Sequence, residues 1–272
     1  MFYISDDAEL SYQTMGTGLD VVLLHPTPVH RDFWLPVAQH LTSGYRLILP
    51  DLRGHGQSQT GDGPITVERL GQDIRRLLDT LQIERALFAG CSIGGYTLYE
   101  LWRRIPNRVS GLAFCCSKPH PDTVVNKSKR EEWITEIRQK GPEGFFDSMA
   151  GTLFGPVTQR RDPAKVSAGR AMMHSMSAEA VIAVQQGLAV RPDSVPTART
   201  ITSPTCVIAG AADTSSTPTE MMFLAEIVRN AGYSSEYHLL PEAGHFAPFE
   251  QPEEVASILR RFFNSIGASE DH

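Results

Sequence analysis

Ala89-Gly90-Cys91-Ser92-Ile93-Gly94-Gly95 follows the apolar stretch Arg85-Ala86-Leu87-Phe88 and runs into Tyr96-Thr97-Leu98-Tyr99-Glu100-Leu101-Trp102. The stretch before it reads as a buried strand and the stretch after it as a helix. Ser92 lies between them at the tip of a strand-to-helix turn. Such a turn is so tight that the residues flanking the serine must be nearly free of side chain, a demand Gly90 and Gly94 meet. The hydroxyl is then exposed, and the first amides of the helix turn their positive end toward any nearby anion. Gly-x-Ser-x-Gly by itself is short and recurs by chance. The strand before it and the helix after it give it weight.

Working outward, short apolar runs recur at Val21–Leu24, Arg46–Leu49, Ala86–Ala89, Gly111–Cys116 and Cys206–Ala209, with a last strand at Glu236–Leu240. The apolar runs lack alternation, as expected of parallel strands covered on both faces. Helical patterns separate them. In Thr66–Gln82 the apolar residues Leu70, Ile74, Leu77, Leu78 and Leu81 share one face, and Thr66 is placed to cap it. Thr217-Pro218-Thr219-Glu220 carries a capping box with proline in the first turn, and Gly232 marks that helix's end. A last helix is expected over Glu253–Ile266. Alternating strands and helices imply an α/β fold with a mainly parallel sheet.

The rhythm breaks between about Lys118 and Arg191. Helix-like stretches at Lys129–Lys140, Pro142–Leu153, Pro163–Met176 and Ala178–Val190 follow one another without a strand. The expected organisation is a core of residues 1–117 and 192–272 with a helical cap, residues 118–191, inserted over the carboxyl edge of the sheet. Most apolar cap residues should pack cap helices together and a minority should line a mostly apolar pocket. The candidate pocket residues are Trp133, Phe146, Met149 and Met173 from the cap, with His25 and Phe246 from the core.

Bulk properties narrow the class. The chain has 272 residues, 41% hydrophobic and 21% charged, with a net charge of −6. No basic stripe is present, which argues against nucleic acid as a partner. The start Met1–Asp7 has neither a basic n-region nor an apolar core, so no signal peptide is expected. No stretch is long and apolar enough to span a membrane. Cys91, Cys115, Cys116 and Cys206 lie in or beside strand-like segments without metal-ligand spacing. They are expected to be reduced and buried in a cytoplasmic protein with no metal, nucleotide or other cofactor. The partner expected is a small molecule.

A serine hydroxyl is a poor nucleophile until a base takes its proton, and the base must be oriented by a third group. The candidate acid is Asp213, in a loop after Ile208-Ala209-Gly210, with Asp122 after the preceding strand as its rival. The candidate base is His245, which follows Gly244 between the last strand and the last helix. Cys91 adjoins Ser92 but occupies the wrong position of the motif to be the nucleophile. An oxyanion needs backbone donors. One is the amide of Ile93. In the loop His25-Pro26-Thr27-Pro28 the prolines have no N–H, which leaves Thr27 as the other. The Thr27–Pro28 bond is expected to be cis, and His25 to brace the loop.

These pieces resemble the α/β-hydrolase superfamily: Leu23–Pro28, Asp51–Ser58, Gly90–Gly95, Gly210–Asp213 and Ala243–His245 occur in the family's order across nearly the whole chain. In that family the acid and base follow the serine as Ser92, Asp213 and His245 do here. The segments Arg191–Ser194, Thr202–Thr205 and His245–Pro252 are similar to the group of 3-oxoadipate enol-lactonases, cofactor-free haloperoxidases and small esterases. The family usually has His-Gly where this chain has His25-Pro26. The resemblance implies an α/β-hydrolase fold and a serine hydrolase of small carboxylic esters, lactones or thioesters. Acyl transfer, carbon–carbon hydrolysis, lyase chemistry and a low-turnover receptor use the same scaffold. The cap does not carry substrate identity across.

Overall fold

The apolar runs pair into one sheet in a computed structural model that describes the backbone of residues 1–270 and the side chains of residues 1–267. The strands are β1 (Phe2–Ser5), β2 (Ala8–Met15), β3 (Thr17–Leu24), β4 (Ser43–Pro50), β5 (Ala86–Cys91), β6 (Val109–Cys115), β7 (Thr205–Gly210) and β8 (Ser235–Leu240). Their order across the sheet is β1-β2-β4-β3-β5-β6-β7-β8. From β4 to β8 all neighbours are parallel, whereas β1 and β2 join antiparallel at one edge. Every residue of β5, β6 and β7 is buried, which is why their sequences show no alternation.

The β1–β2 hairpin was not expected from the sequence. Its first strand is short and leaves Phe2 and Ile4 exposed, and its second alternates Ala8, Leu10 and Tyr12 with Glu9, Ser11 and Gln13, a pattern unlike the unbroken apolar runs of the parallel strands.

Helices cover both faces. In α1 (Val67–Thr80) Thr66 Oγ1 accepts from the Arg69 amide at 3.3 Å, and Leu70, Ile74, Leu77 and Leu78 are buried. Ser92 leads into α2 (Ile93–Arg104). Between β6 and β7 come α3 (Val124–Lys140), α4 (Glu143–Leu153), α5 (Pro156–Arg161), α6 (Pro163–Met173) and α7 (Ala178–Ala189). The first begins earlier than its apolar pattern indicates because Thr123 caps it, accepting from the Asn126 amide at 3.2 Å. The short α5 went unread, and α6 stops before Met176. The capping box of Thr217 and Glu220 opens α8 (Pro218–Asn230), and Gly232 follows its end at φ +88°. The last helix, α9 (Pro252–Glu270), buries Val255, Ile258, Leu259, Phe262, Phe263 and Ile266.

Parallel register sets the working edge. Leu24 lies opposite Gly90, and Cys91 opposite Cys115. The loops that follow β3, β5, β6, β7 and β8 therefore leave from one side, where open α/β sheets bind ligands. Among the described residues no helix is long and apolar enough to cross a membrane, and all four cysteines are free and buried.

Candidate active site

Ser92 stands in the turn between β5 and α2 with φ +53° and ψ −117°, a conformation that L-residues rarely hold. The packing around it forces this. A Cβ on Gly90 would lie 2.5 Å from the Gly94 carbonyl, and one on Gly94 would lie 2.2 Å from the Leu24 carbonyl oxygen. Holding such a residue costs about 1–3 kcal/mol, sustained by the surrounding core. As the first residue of α2, Ile93 leaves its amide outside the intrahelical ladder.

His245 and Asp213, 32 positions apart in sequence, meet at 2.8 Å between Nδ1 and Oδ2. The other oxygen of Asp213 accepts from the amides of Ser215 at 2.7 Å and Ser216 at 3.1 Å. With Nδ1 engaged, Nε2 is the nitrogen left for other work. Ser92 and His245 line one cavity, without a direct hydrogen bond between them among the described residues.

A residue the sequence reading missed holds the histidine loop. Buried Glu250 accepts from the Gly244 amide at 2.8 Å, the Gly155 amide at 2.8 Å and the Thr158 hydroxyl at 2.6 Å. It thereby ties the loop before His245 to the inserted helices. Burial raises its carboxyl pKa, against the lowering by those donors. The available signal was a carboxylate directly after the apolar run Phe246-Ala247-Pro248-Phe249. From beneath, the Cys91 thiol donates to the His245 carbonyl at 3.6 Å and the Cys116 thiol to the Gly244 carbonyl at 3.8 Å.

The loop after β3 contains a cis Thr27–Pro28 bond. His25 lies under it, fully buried. Its Nε2 accepts from the Leu52 amide at 2.8 Å, so Nδ1 carries the proton and donates to the Pro26 carbonyl at 2.8 Å. His55 Nδ1 donates to the Arg53 carbonyl at 2.9 Å, which leaves Nε2 to accept from the Thr27 hydroxyl at 3.0 Å. Both rings are neutral by construction. Burial pushes the pKa of His25 well below the usual histidine value, and that of His55 down to about 4.

The unfolded chain takes up a proton at each ring near the ordinary value of 6.5, and the folded chain only far below it. Unfolding therefore binds protons in this window. Stability present above about pH 6.5 is lost as pH falls toward about 4. Thermal melts across that range should show Tm falling more steeply for the wild type than for His55→Gln. Equal slopes would mean that His55 is not held neutral.

The cavity has a volume of about 280 Å³. Thr27, Pro28, Ser92, Tyr96 and His245 line it from the sheet side. Asn126, Lys129, Arg130 and Trp133 of α3, Phe145, Met149 and Leu153 of α4, and Gln185 and Leu188 of α7 line it from the inserted helices. Of the candidate pocket residues, only Trp133 and Met149 are there. Phe146 and Met173 are buried among the inserted helices, with Phe146 set edge-on to His174. Phe246 is buried against Phe33 and Phe154, and His25 lies under the loop after β3. An apolar residue can face a helix bundle or a cavity, and composition does not separate the two.

The lining also corrects the expectation of a mostly apolar pocket. Among the described residues, Lys118, Lys129 and Arg130 line it against Asp122 as the only carboxylate. Asp122, the rival acid, pairs with Arg130 at 2.5 Å and lies 3.5 Å from Arg191, whereas the carboxylate bonded to His245 is that of Asp213. The buried Arg191 guanidinium stacks 3.9 Å from the Tyr96 ring centre, with Nε and Nη1 unpartnered. Lys118 pairs with Glu220 at 3.0 Å, whereas Lys129 has a ring neighbour, its Nζ 5.0 Å from the Trp133 ring centre.

A glycine-flanked serine on a strained turn, an Asp–His pair on later loops of the same sheet edge, and helices inserted after β6 define a class. The chain belongs to the alpha/beta hydrolase fold family, whose model matches residues 21–252. It is 28% identical over 267 residues to 3-oxoadipate enol-lactonase 2 of Acinetobacter baylyi, covering 95% of this chain and 96% of that protein. Among solved structures it is similar to a thermophilic esterase from Thermogutta terrifontis, with malate bound, at TM-score 0.91 and 33% identity over 95% of this chain and 94% of the other. The enol-lactonase from Burkholderia xenovorans superposes with TM-score 0.89 at 25% identity, covering 97% of this chain and all (100%) of the other. These relatives are enzymes, esterases and lactonases, as the sequence resemblance implied.

Proposed function

We propose that this chain is a serine hydrolase of small carboxylic esters or lactones, with Ser92 as nucleophile, His245 as base and Asp213 as its orienting acid. The observation that carries the reading is that His245, bonded to Asp213 at 2.8 Å, lines the same cavity as the strained, glycine-flanked Ser92. His245 Nε2 takes the Ser92 proton as Oγ attacks the carbonyl carbon. Asp213 holds the ring through Nδ1 and stabilises the imidazolium that forms. The negative charge that develops on the carbonyl oxygen is met by the Ile93 and Thr27 amides. His245 then protonates the leaving alcohol, and water activated by the same nitrogen releases the acid from the acyl-enzyme.

The helices of residues 118–191 act as a cap that selects the substrate. Of the lining cations, Lys118 pairs with Glu220 and Arg130 with Asp122, so it is Lys129 that favours a substrate carrying an anionic group beyond its scissile bond. Malate, bound to the Thermogutta terrifontis esterase, is a small anion. Unpaired buried thiols support a reducing, cytoplasmic setting.

The test is a fluorophosphonate probe, mapped by mass spectrometry, together with a panel of esters, lactones and acyl thioesters prepared in neutral and carboxylate-bearing pairs. Expected are labelling at Ser92, hydrolysis rather than acyl transfer in the product analysis, and higher kcat/KM for the anionic member of each pair. Label on another residue, or a panel left intact, would overturn the assignment. Equal rates within pairs would remove only the anionic preference.

A further inference from the structure

At the opposite end of the sheet from Ser92, three side chains of metal-ligand chemistry converge that the chain keeps far apart. Cys206 is the second residue of β7 and Glu236 the second of β8, and sheet register sets them directly opposite each other. His238, two residues on, falls on the same face as Glu236 because side chains alternate along a strand. One ligand atom from each of Cys206, Glu236 and His238 lies within 4.8 Å of the others. Tyr237, between them, points the other way, its hydroxyl donating to the Pro218 carbonyl at 3.3 Å.

A second observation falls on the same atoms. Glu236 Oε1 and His238 Nε2 are shielded from solvent and have no hydrogen-bond partner, although Nε2 lies 3.3 Å from Glu236 Oε2. Buried polar atoms are nearly always satisfied, and an orphan pair facing one another calls for a missing partner such as an ion. The sulfur is fully buried behind them, while the side chains of His238 and Glu236 remain 26% and 43% exposed, which leaves a route in from solvent.

We propose that Cys206, Glu236 and His238 form a binding site for a borderline-soft divalent transition-metal ion, with zinc the best match. A thiolate, an imidazole and a carboxylate are the ligand types zinc takes, and three protein ligands leave the fourth tetrahedral position for water. Binding exchanges the thiol proton for the metal: M²⁺ replaces H⁺ on Cys206 Sγ, and the proton leaves to solvent without any redox change. Burial and the Glu236 carboxylate raise the thiol's pKa, with Arg261 of α9 lowering it, so the ion must supply the charge that stabilises the thiolate. The ion would pin the edge strand β8 to β7. The carboxyl ends of the same strands carry the Asp213 and His245 loops. The cluster of Cys116, Asp213 and His245 also lies within ligand reach, but its histidine and aspartate already bond each other.

The test is a cobalt(II) titration of tag-free, metal-stripped protein followed by absorbance. Expected are a thiolate-to-cobalt charge-transfer band in the near ultraviolet and tetrahedral ligand-field bands in the visible, saturating at one ion per chain and displaced by zinc. Cys206→Ala should abolish the charge-transfer band. His238→Gln, at a partly exposed position that folding tolerates, should weaken binding about tenfold or more. Saturating zinc should raise the wild-type Tm by several degrees, an increment the variants lose. A band that survives Cys206→Ala, a band lost instead in Cys116→Ala, or no saturable binding would each overturn the proposal. Every readout here is metal binding or Tm rather than ester turnover, so this test stands apart from the hydrolase reading.

Discussion

Ser92→Ala is expected to lower kcat by about a million-fold, the scale on which removing a serine nucleophile acts when the rest of the machinery stays in place. Only the hydroxyl oxygen is lost. Alanine keeps the Cβ, so the backbone at φ +53° is no more strained than before. The amide of residue 92 still donates to the Cys115 carbonyl at 3.1 Å, and its carbonyl still accepts from the Ser117 hydroxyl at 3.2 Å. Stability should therefore stay within about 1 kcal/mol of the wild type. Initial rates on the best ester of the panel, with a thermal melt in parallel, check both halves. Activity within tenfold of wild type would mean that another group attacks the carbonyl. A collapsed melt would mean that the hydroxyl has a structural role not visible in its contacts.

Asp213→Asn should cost about ten-thousand-fold in kcat with little change in KM, since Asp213 is not among the residues lining the cavity. The Ser215 and Ser216 amides both donate to Oδ1, so the carbonyl oxygen of the asparagine stays on that side. Its amino group then faces His245 Nδ1, where a carboxylate oxygen sat at 2.8 Å. A donor there forces Nδ1 to accept, which moves the ring proton to Nε2 and removes the lone pair that must take the Ser92 proton. The fold is unchanged because the two side chains are nearly isosteric. Steady-state kinetics with a pH profile provide the check. A loss under tenfold would pass the role to a different acid. Asp122 is poorly placed for it, engaged as it is by Arg130 and Arg191.

How much of this was legible beforehand depended on whether a local rule governed the residue. The strands β5, β6 and β7 were readable because burial on both faces leaves mostly apolar residues. The Thr217–Glu220 capping box was readable because its hydrogen bonds close within one turn. The order Ser92, Asp213, His245 was legible through resemblance and loop position. The β1–β2 hairpin was not, because Ala8, Leu10 and Tyr12 alternate with polar residues instead of forming an unbroken apolar run like those of the parallel strands. Glu250 escaped for a different reason: its partners, Gly155, Thr158 and Gly244, come from two separate segments. The pocket was read worst. Phe146 and Met173 look like Trp133 and Met149 in sequence, and only helix orientation decides which pair meets the cavity.

The sequence by itself determined the α/β architecture and the strand-to-helix turn of Ser92, because steric limits at glycine and the burial of apolar runs act over a few residues. Tertiary structure alone decided the charge of the cavity wall, the anchoring of the His245 loop by Glu250, and the meeting of Cys206 with Glu236 and His238. Each of these depends on register or packing between segments tens of residues apart, and no local free-energy preference encodes such a distance.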